Sequence, residues 1–400
     1  ILGRRLVLTA GDQPLLSLIY GSACFWFAAS ASLKIAQRLV PLGLVITGLL
    51  VAAMAVEPFL YAALLLEIAA LLTVPLLLQA RNRTGRGLLR FIIFQTLAMP
   101  FIVFSGWLLA GIEADPGDLA LVQQAAILLA LGFALLLAVF PFYSWIPMLA
   151  EEAHPYAVGF LLWIFPTAGL LFAASFVDRY AWLRTSATTV ELLVLVGTVM
   201  ITSGGLLAAF QKHLGRVMGY AAIVESGFSL LTIGLGGASG ISLFFLLFVP
   251  RILSLGLWSF SLAILKEHSP SLQLSDSHGL ARTTPFASAG LILANFSLAG
   301  LPILACFPIR QTIWEGLARI SLGTTAWLLI GIFGMTIAAG RALAALAAAP
   351  EGTSWKAIEN WPQRIFLGLG LLALFGLGTF PQWTVPLLER LPAIFEHLGR

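Results

Sequence analysis

Six ionisable residues fall inside long apolar stretches of the 400-residue chain: Glu67, Glu225, Arg251, Arg310, Glu315 and Arg341. A charge at membrane depth costs on the order of 2.5–3.5 kcal/mol or more, so such residues face a bundle interior or a water cavity and find partners there. Their natural chemistry is the movement of protons or small ions. Glu67 lies in LLLEIAALL, about three turns into its helix and too deep to reach the interface. Glu225 and Arg251 sit on adjacent stretches and can pair with each other. Arg310 follows Pro308 by two residues, where a broken helix frees carbonyls that a guanidinium can cap. Gln95, Gln123 and Gln124 can extend a hydrogen-bonded path. AVFPFYSWIPMLAEEAHP, from Ala138 to Pro155, closes an apolar run with Pro141, Pro147, Glu151, Glu152 and His154. It reads either as a solvated mouth or as a proton-collecting entrance.

The elements that position these groups must be membrane helices. The chain is 60% hydrophobic and 10% charged, with a mean hydropathy of +0.98, whereas soluble domains carry about a quarter charged residues. The apolar runs are continuous and do not alternate as barrel strands do, so the expected fold is an all-α integral membrane protein in the lipid bilayer. P-loop, zincin, paired C-x-x-C and dinucleotide signatures are absent. His154, His213, His268, His278 and His397 all fall at loops or span ends, so no cofactor and no metal is expected. Cys24 and Cys306 lie far apart in apolar stretches and read as buried small residues. A net charge of +4 gives no reason to expect nucleic acid. The chain opens Ile-Leu-Gly without methionine, which reads as an N-terminal piece missing from the sequence.

Twelve spans are expected: 13–30, 39–56, 58–79, 90–112, 119–147, 157–177, 188–210, 216–237, 241–265, 285–318, 323–349 and 363–382. Twelve Lys and Arg residues fall on one side of this arrangement and seven on the other. The basic side, marked by RNRTGRGLLR (Arg81 to Arg90), is expected to be cytoplasmic, in a bacterial inner membrane. The opposite loop EADPGD (Glu113 to Asp118) is acidic, and the N-R-T sequon at Asn82 reads as chance. Segments 119–147 and 285–318 are unusually long, and each carries two prolines in its C-terminal half: Pro141 and Pro147, then Pro302 and Pro308. They are the fourth members of two five-span blocks, about 39–177 and 188–349, within one transmembrane domain over 1–400. Five spans per block make the second block inverted. Broken helices at matching places in inverted halves point to an ion pathway near the midplane.

PFYSWIPMLAEEAHP (Pro141 to Pro155), QKHLGRVMGYAAIVESGFSLLTIG (Gln211 to Gly234), GLPILACFPIR (Gly300 to Arg310) and EPFLYAALLLEIAALLTVPLLL (Glu57 to Leu78) occur in this order. With that order and spacing, the chain resembles the antiporter-like membrane subunits of respiratory complex I. These are shared with membrane-bound hydrogenases and multisubunit cation/proton antiporters. The resemblance covers nearly the whole chain, with the family's first two spans missing. It implies proton translocation along a hydrated axis of lysines and a glutamate, coupled to a redox arm, with other membrane subunits as partners. It also implies a non-catalytic subunit of an NADH-quinone oxidoreductase-type translocase.

Carried over residue by residue, that axis is depleted. The lysine of the first broken helix falls on Leu136, and the next span offers Trp163 in place of a lysine. The family histidines fall on Glu225 and Pro250, the latter beside Arg251. Glu67 keeps the glutamate, and Arg310 replaces a lysine. A buried lysine can exchange its proton, whereas arginine stays charged. The expected role is therefore a structural or coupling subunit with a degenerate proton axis. The alternatives are an active proton or sodium channel using Glu67 and Arg310, or a stand-alone secondary transporter binding a small anion near Arg310 and Arg251.

Overall fold

The structure, a computed structural model, describes residues 5–78, 85–114, 119–348 and 355–399. Arg4, Arg81, Asn82, Arg83, the acidic loop from Asp115 to Asp118 and Arg400 lie outside the described residues. The helices of more than one or two turns are α1 (Gln13–Ser30), α2 (Ala36–Ala55), α3 (Ala62–Leu72), α4 (Arg86–Ala114), α5 (Leu119–Leu136) and α6 (Trp145–Glu152). They continue with α7 (Pro155–Arg179), α8 (Ala187–Ala209), α9 (Leu214–Leu235), α10 (Gly237–Leu246) and α11 (Phe248–His268). The last are α12 (Pro285–Ala299), α13 (Phe307–Ile320), α14 (Leu322–Ala347) and α15 (Trp361–Thr379). A two-stranded antiparallel ribbon pairs β1 (Arg5–Leu6) with β2 (Val56–Glu57).

Among the described residues, ten segments are long and apolar enough to cross a membrane. The two other expected spans depart for different reasons. Gln13, three serines and Tyr20 within 18 residues dilute the apolar character of α1. The segment 285–318 is divided into α12 and α13, each too short to cross alone. The interior is formed by α9, 94% buried over its apolar window, by α7 at 78%, and by the run from α10 to α11 at 72%. By contrast α5 is 28% and α15 22% buried, so both present most of their surface outward.

Both long segments break, and by the same device. After α5, Ala138 takes a positive φ of 52°, the Phe140–Pro141 peptide is cis, and a short 3-10 turn leads into α6. After α12, Gly300 adopts a left-handed φ of 77°, its N–H bonding Ser297 O at 2.9 Å while the Leu301 N–H bonds Phe296 O at 3.0 Å. That pair of bonds is a Schellman stop, which satisfies the last carbonyls of a helix. Ile303 then takes φ 73° before α13 begins. Pro147 and Pro308 therefore do not bend continuous helices. They stand in the first turns of α6 and α13, where the missing N–H costs nothing because first-turn amides have no intrahelical acceptor.

Small residues let the helices of the second half touch. A Cβ on Gly331 would lie 2.3 Å from Ile201 O, and one on Gly334 would lie 2.4 Å from Gly205 O, so α8 and α14 meet backbone to backbone. The first half is filled by rings instead. Phe133, Phe172 and Phe176 pack edge to face at 5.2–5.6 Å, a geometry favoured by the ring quadrupole. The expected burial of both cysteines holds for Cys306 only. Cys24 is exposed, because it lies on the outward face of α1, where a small apolar residue meets no penalty in lipid.

The basic residues sort to two ends. Lys34, Lys266, Arg90 and Arg216 cluster with Glu267, Ala153, Ser144 and Glu151 at one end. At the other, Arg179 stacks over Phe59 and Arg184 bonds the carbonyl of Asp178. There the Asp178 carboxylate also accepts from the amides of Glu396, His397 and Leu398 at 2.7–3.0 Å.

Candidate functional site

The most buried helix, α9, starts at His213, whose ring accepts from the Gly215 amide at 3.1 Å, and stops at Gly236 with φ 72°. It carries Glu225 and, one turn on, Ser229 into the centre of the second half. Opposite them α11 presents Arg251, and the second limb of the broken segment, α13, presents Arg310. Arg251 Nε lies 3.3 Å from Glu225 Oε2, and Arg251 Nη2 donates to Glu225 O at 2.7 Å and to the Ser229 hydroxyl. Arg310 Nη2 donates to Glu225 Oε1. All three side chains are at most 2% exposed. The face of the Arg310 guanidinium rests on the Phe228 ring, 4.0 Å from its centroid, a cation–π contact. Gly300 makes room for the arginine stem, since a Cβ there would stand 2.8 Å from Arg310 Cδ. One turn beyond Arg251, Ser254 donates to the Ser297 hydroxyl at 3.0 Å and contacts Cys306 Sγ at 3.8 Å.

Of the sequence candidates, Glu225, Arg251 and Arg310 are thus brought together. The expected pairing of Glu225 with Arg251 is present. The expectation that Arg310 caps carbonyls freed at the break is not met, because its hydrogen bond goes to the Glu225 carboxylate. A carboxylate is the stronger, charge-assisted acceptor. Glu67 lies elsewhere. It is half-buried at the ninth of the 19 residues of its span and makes no hydrogen bond or ion pair among the described residues. Its neighbours on the same helix stripe, Leu64, Ile68 and Leu71, are exposed, so Glu67 stands at the edge of the outward face. Glu315 is exposed and accepts from Gln311 at 2.9 Å, while Arg341 donates to the Ala209 carbonyl at the end of α8.

At the first break, among the described residues, no charged side chain bonds the carbonyl freed at the end of α5. Leu136 is buried, and its free carbonyl accepts from Gln95 Nε2 at 3.1 Å. A neutral amide therefore does here what Arg310 was expected to do in the second half. Gln123 and Gln124 are exposed on α5 and do not line this break. Trp163 is buried against Trp26 in a stacked pair 6.2 Å apart.

At the rim, Glu151 pairs with Arg216 at 2.9 Å and Glu152 accepts from the Gly87 amide at 2.8 Å. His154 caps α7, its Nδ1 accepting from Tyr156 N at 3.3 Å. Burial, with the nearby Lys266 ammonium adding to it, lowers the His154 pKa to about 4. Burial lowers His213 as well. Each rim carboxylate therefore holds a specific partner.

Sequence reasoning missed Ser229, Phe228, Gly300 and the Ser254–Ser297–Cys306 contact. Two signals were readable. Ser229 stands four residues after Glu225, and Cys306 four before Arg310, spacings that share one helix face. Nothing in the sequence brings Phe228 under Arg310.

Comparison with known proteins agrees with this architecture. The transmembrane family described as NADH:quinone oxidoreductase/Mrp antiporter matches residues 119–338. NADH-quinone oxidoreductase subunit 14 of Thermus thermophilus is 29% identical over 342 residues, covering 81% of this chain and 75% of its own length. NADH-quinone oxidoreductase subunit N of Dehalococcoides mccartyi is 26% identical over 286 residues, 68% of this chain and 58% of the relative. The chain thus spans less than two thirds of some curated relatives. Among solved structures, a chain of the archaeal membrane-bound sulfane sulfur reductase superposes with a TM-score of 0.85 at 17% identity, over 100% of this chain and 85% of that one. A chain of respiratory complex I from Thermus thermophilus gives 0.75 at 21% identity, over 97% and 85%. A chain of the Mrp complex from a Dietzia species gives 0.85 at 13%, over 98% and 84%.

Proposed function

The chain belongs to the NADH:quinone oxidoreductase/Mrp antiporter transmembrane family, and from that premise we propose that it is a structural or coupling subunit whose own proton axis is degenerate. Its partners are other membrane subunits of a redox- or ion-translocating complex. Its place is the membrane arm, in a bacterial inner membrane, with the Arg90, Arg216 and Lys266 end in the cytoplasm. The two halves are read as inverted repeats hinged on the two breaks.

One observation carries the reading: among the described residues, no lysine, histidine or carboxylate stands at the first break, whose one titratable side chain is the Tyr143 phenol. Leu136 and Trp163 are buried and apolar, and the break carbonyl is capped by Gln95. In the second half both cations are arginines, which stay protonated, and both are bound to Glu225. A paired, permanently charged cluster ties α9, α11 and α13 together and relays no proton through its guanidiniums.

The test is gentle purification from native membranes with identification of every accompanying chain, followed by reconstitution of the assembly in vesicles with a pH-sensitive dye. Redox or cation-transporting subunits are expected to accompany the chain. Recovery of the chain alone would sink the subunit reading. Glu67→Gln is expected to leave the protons moved per turnover unchanged, since Glu67 stands at the outward edge of its helix without an ion-pair partner among the described residues. A clear loss in that variant would favour the conducting alternative through Glu67.

A further inference from the structure

The charge balance of the buried triad is incomplete. One carboxylate, Glu225, faces two guanidiniums, Arg251 and Arg310, which leaves one positive charge. Arginine does not deprotonate in proteins, so the excess cannot be discharged by loss of a proton, as a lysine's can. Of the buried charged side chains among the described residues, the two others, Asp178 and Glu359, are committed elsewhere. Asp178 holds the 396–398 amides, and Glu359 accepts from Ala287 N at 3.0 Å. Neither compensates the triad.

The hydrogen-bonding inventory shows the same deficit. Arg251 Nη1, Arg310 Nε and Arg310 Nη1 are buried donors without an acceptor among the described residues. The Phe228 ring covers one face of Arg310 and offers π density but no lone pair, so the in-plane N–H groups still require an acceptor. An unpaired charge at this depth is strongly unfavourable. Water could satisfy the donors but not the charge.

We infer that the Glu225–Arg251–Arg310 triad binds one small inorganic monoanion, held by Arg251 Nη1 and by Arg310 Nε and Nη1. The Glu225 carboxylate opposes a second anion. The three side chains are at most 2% exposed, which favours a halide-sized ion over a bulky organic acid. This goes beyond the structural-subunit reading and does not depend on it, because binding is read from the chain itself and not from proton movement.

The experiment uses the purified protein, with whatever subunits accompany it, in lipid nanodiscs. Thermal unfolding is compared in sodium chloride and sodium gluconate at equal ionic strength. The midpoint is expected to rise by about 2–4 °C at about 100 mM chloride, as mass action requires for a site with submillimolar to millimolar affinity. Arg251→Gln, which neutralises the triad, should abolish the rise. Glu225→Gln, which leaves two uncompensated cations, should enlarge it. In parallel, the chloride NMR linewidth is measured at equilibrium with the protein, and a saturable broadening that bromide competes away and gluconate does not is expected in the unaltered protein.

Equal midpoints in chloride and gluconate overturn the inference, as does a rise that survives Arg251→Gln. Should a variant fail to fold, the chloride linewidth of the unaltered protein decides alone, and the absence of saturable broadening is a negative result. If Cys306→Ser lowers the midpoint in both salts while chloride makes no difference, the Cys306 thiolate supplies the missing charge and the inference also fails.

Discussion

The two broken helices of this protein share a backbone and differ in chemistry. Each ends in a helix stop, passes a non-glycine residue of positive φ, Ala138 or Ile303, and restarts with a proline in the first turn. At the first break a neutral glutamine holds a neutral carbonyl. Beside the second, three fully buried charges hold one another. A broken membrane helix therefore needs its free carbonyls and its surroundings satisfied, but it does not need charge. The charge in the second half is an additional commitment, and its energetics should separate the halves by experiment.

The sharpest way to test that separation is Glu225→Ala. It leaves Arg251 and Arg310 buried without a carboxylate and should destabilise the protein by about 3–5 kcal/mol, read as a large fall in the thermal midpoint or a loss of folded yield. The comparison breaks if this variant costs no more than a change at the first break.

Gly300→Val comes next. It forces a β-branched residue into φ 77° and against Arg310 Cδ, for about 1–3 kcal/mol. A control at Gly316, where a Cβ would meet nothing within 4 Å, should be almost silent by the same unfolding assay.

The rim sets a pH dependence of its own. The folded His154 pKa is lowered to about 4, against about 6.5 in an unfolded chain. Between those values the unfolded imidazole takes up a proton that the folded one refuses. Stability is therefore full above pH 6.5 and is lost as pH falls through that window towards 4. For a partly exposed ring the loss is on the order of 1–2 kcal/mol once solvent screening is allowed for. His154→Asn keeps a side-chain cap and should flatten the midpoint between pH 6.5 and 4.

The smallest effect belongs to the first break. Gln95→Leu removes the donor to Leu136 O and should cost about 1 kcal/mol, measured against the unaltered protein at pH 7. A cost as large as that of Glu225→Ala would mean that the neutral break is as constrained as the charged region.

Much of this was legible in the sequence. The apolar runs, the two over-long segments and their paired prolines identify a membrane bundle with two breaks, because twenty apolar residues have few other uses and proline tolerates only certain helix positions. Glu225 and Arg251 were readable as partners from their places on adjacent spans. The outward setting of Glu67 was not, since LLLEIAALL is apolar on every side but for Glu67 itself, and one polar residue does not say which face is buried. The burial of Cys24 was misjudged for the same reason. In a bilayer, inside and outside are both apolar, so composition loses the contrast that marks a core in soluble proteins.

By itself, then, the sequence determined the solvent, the helices and the breaks. All of these follow from local composition and from proline geometry. Only the tertiary structure decided that Arg310 belongs to Glu225 and not to the break beside it. Residues 85 positions apart meet through helix packing, and the strength of a buried carboxylate as a partner then outweighs any carbonyl nearby.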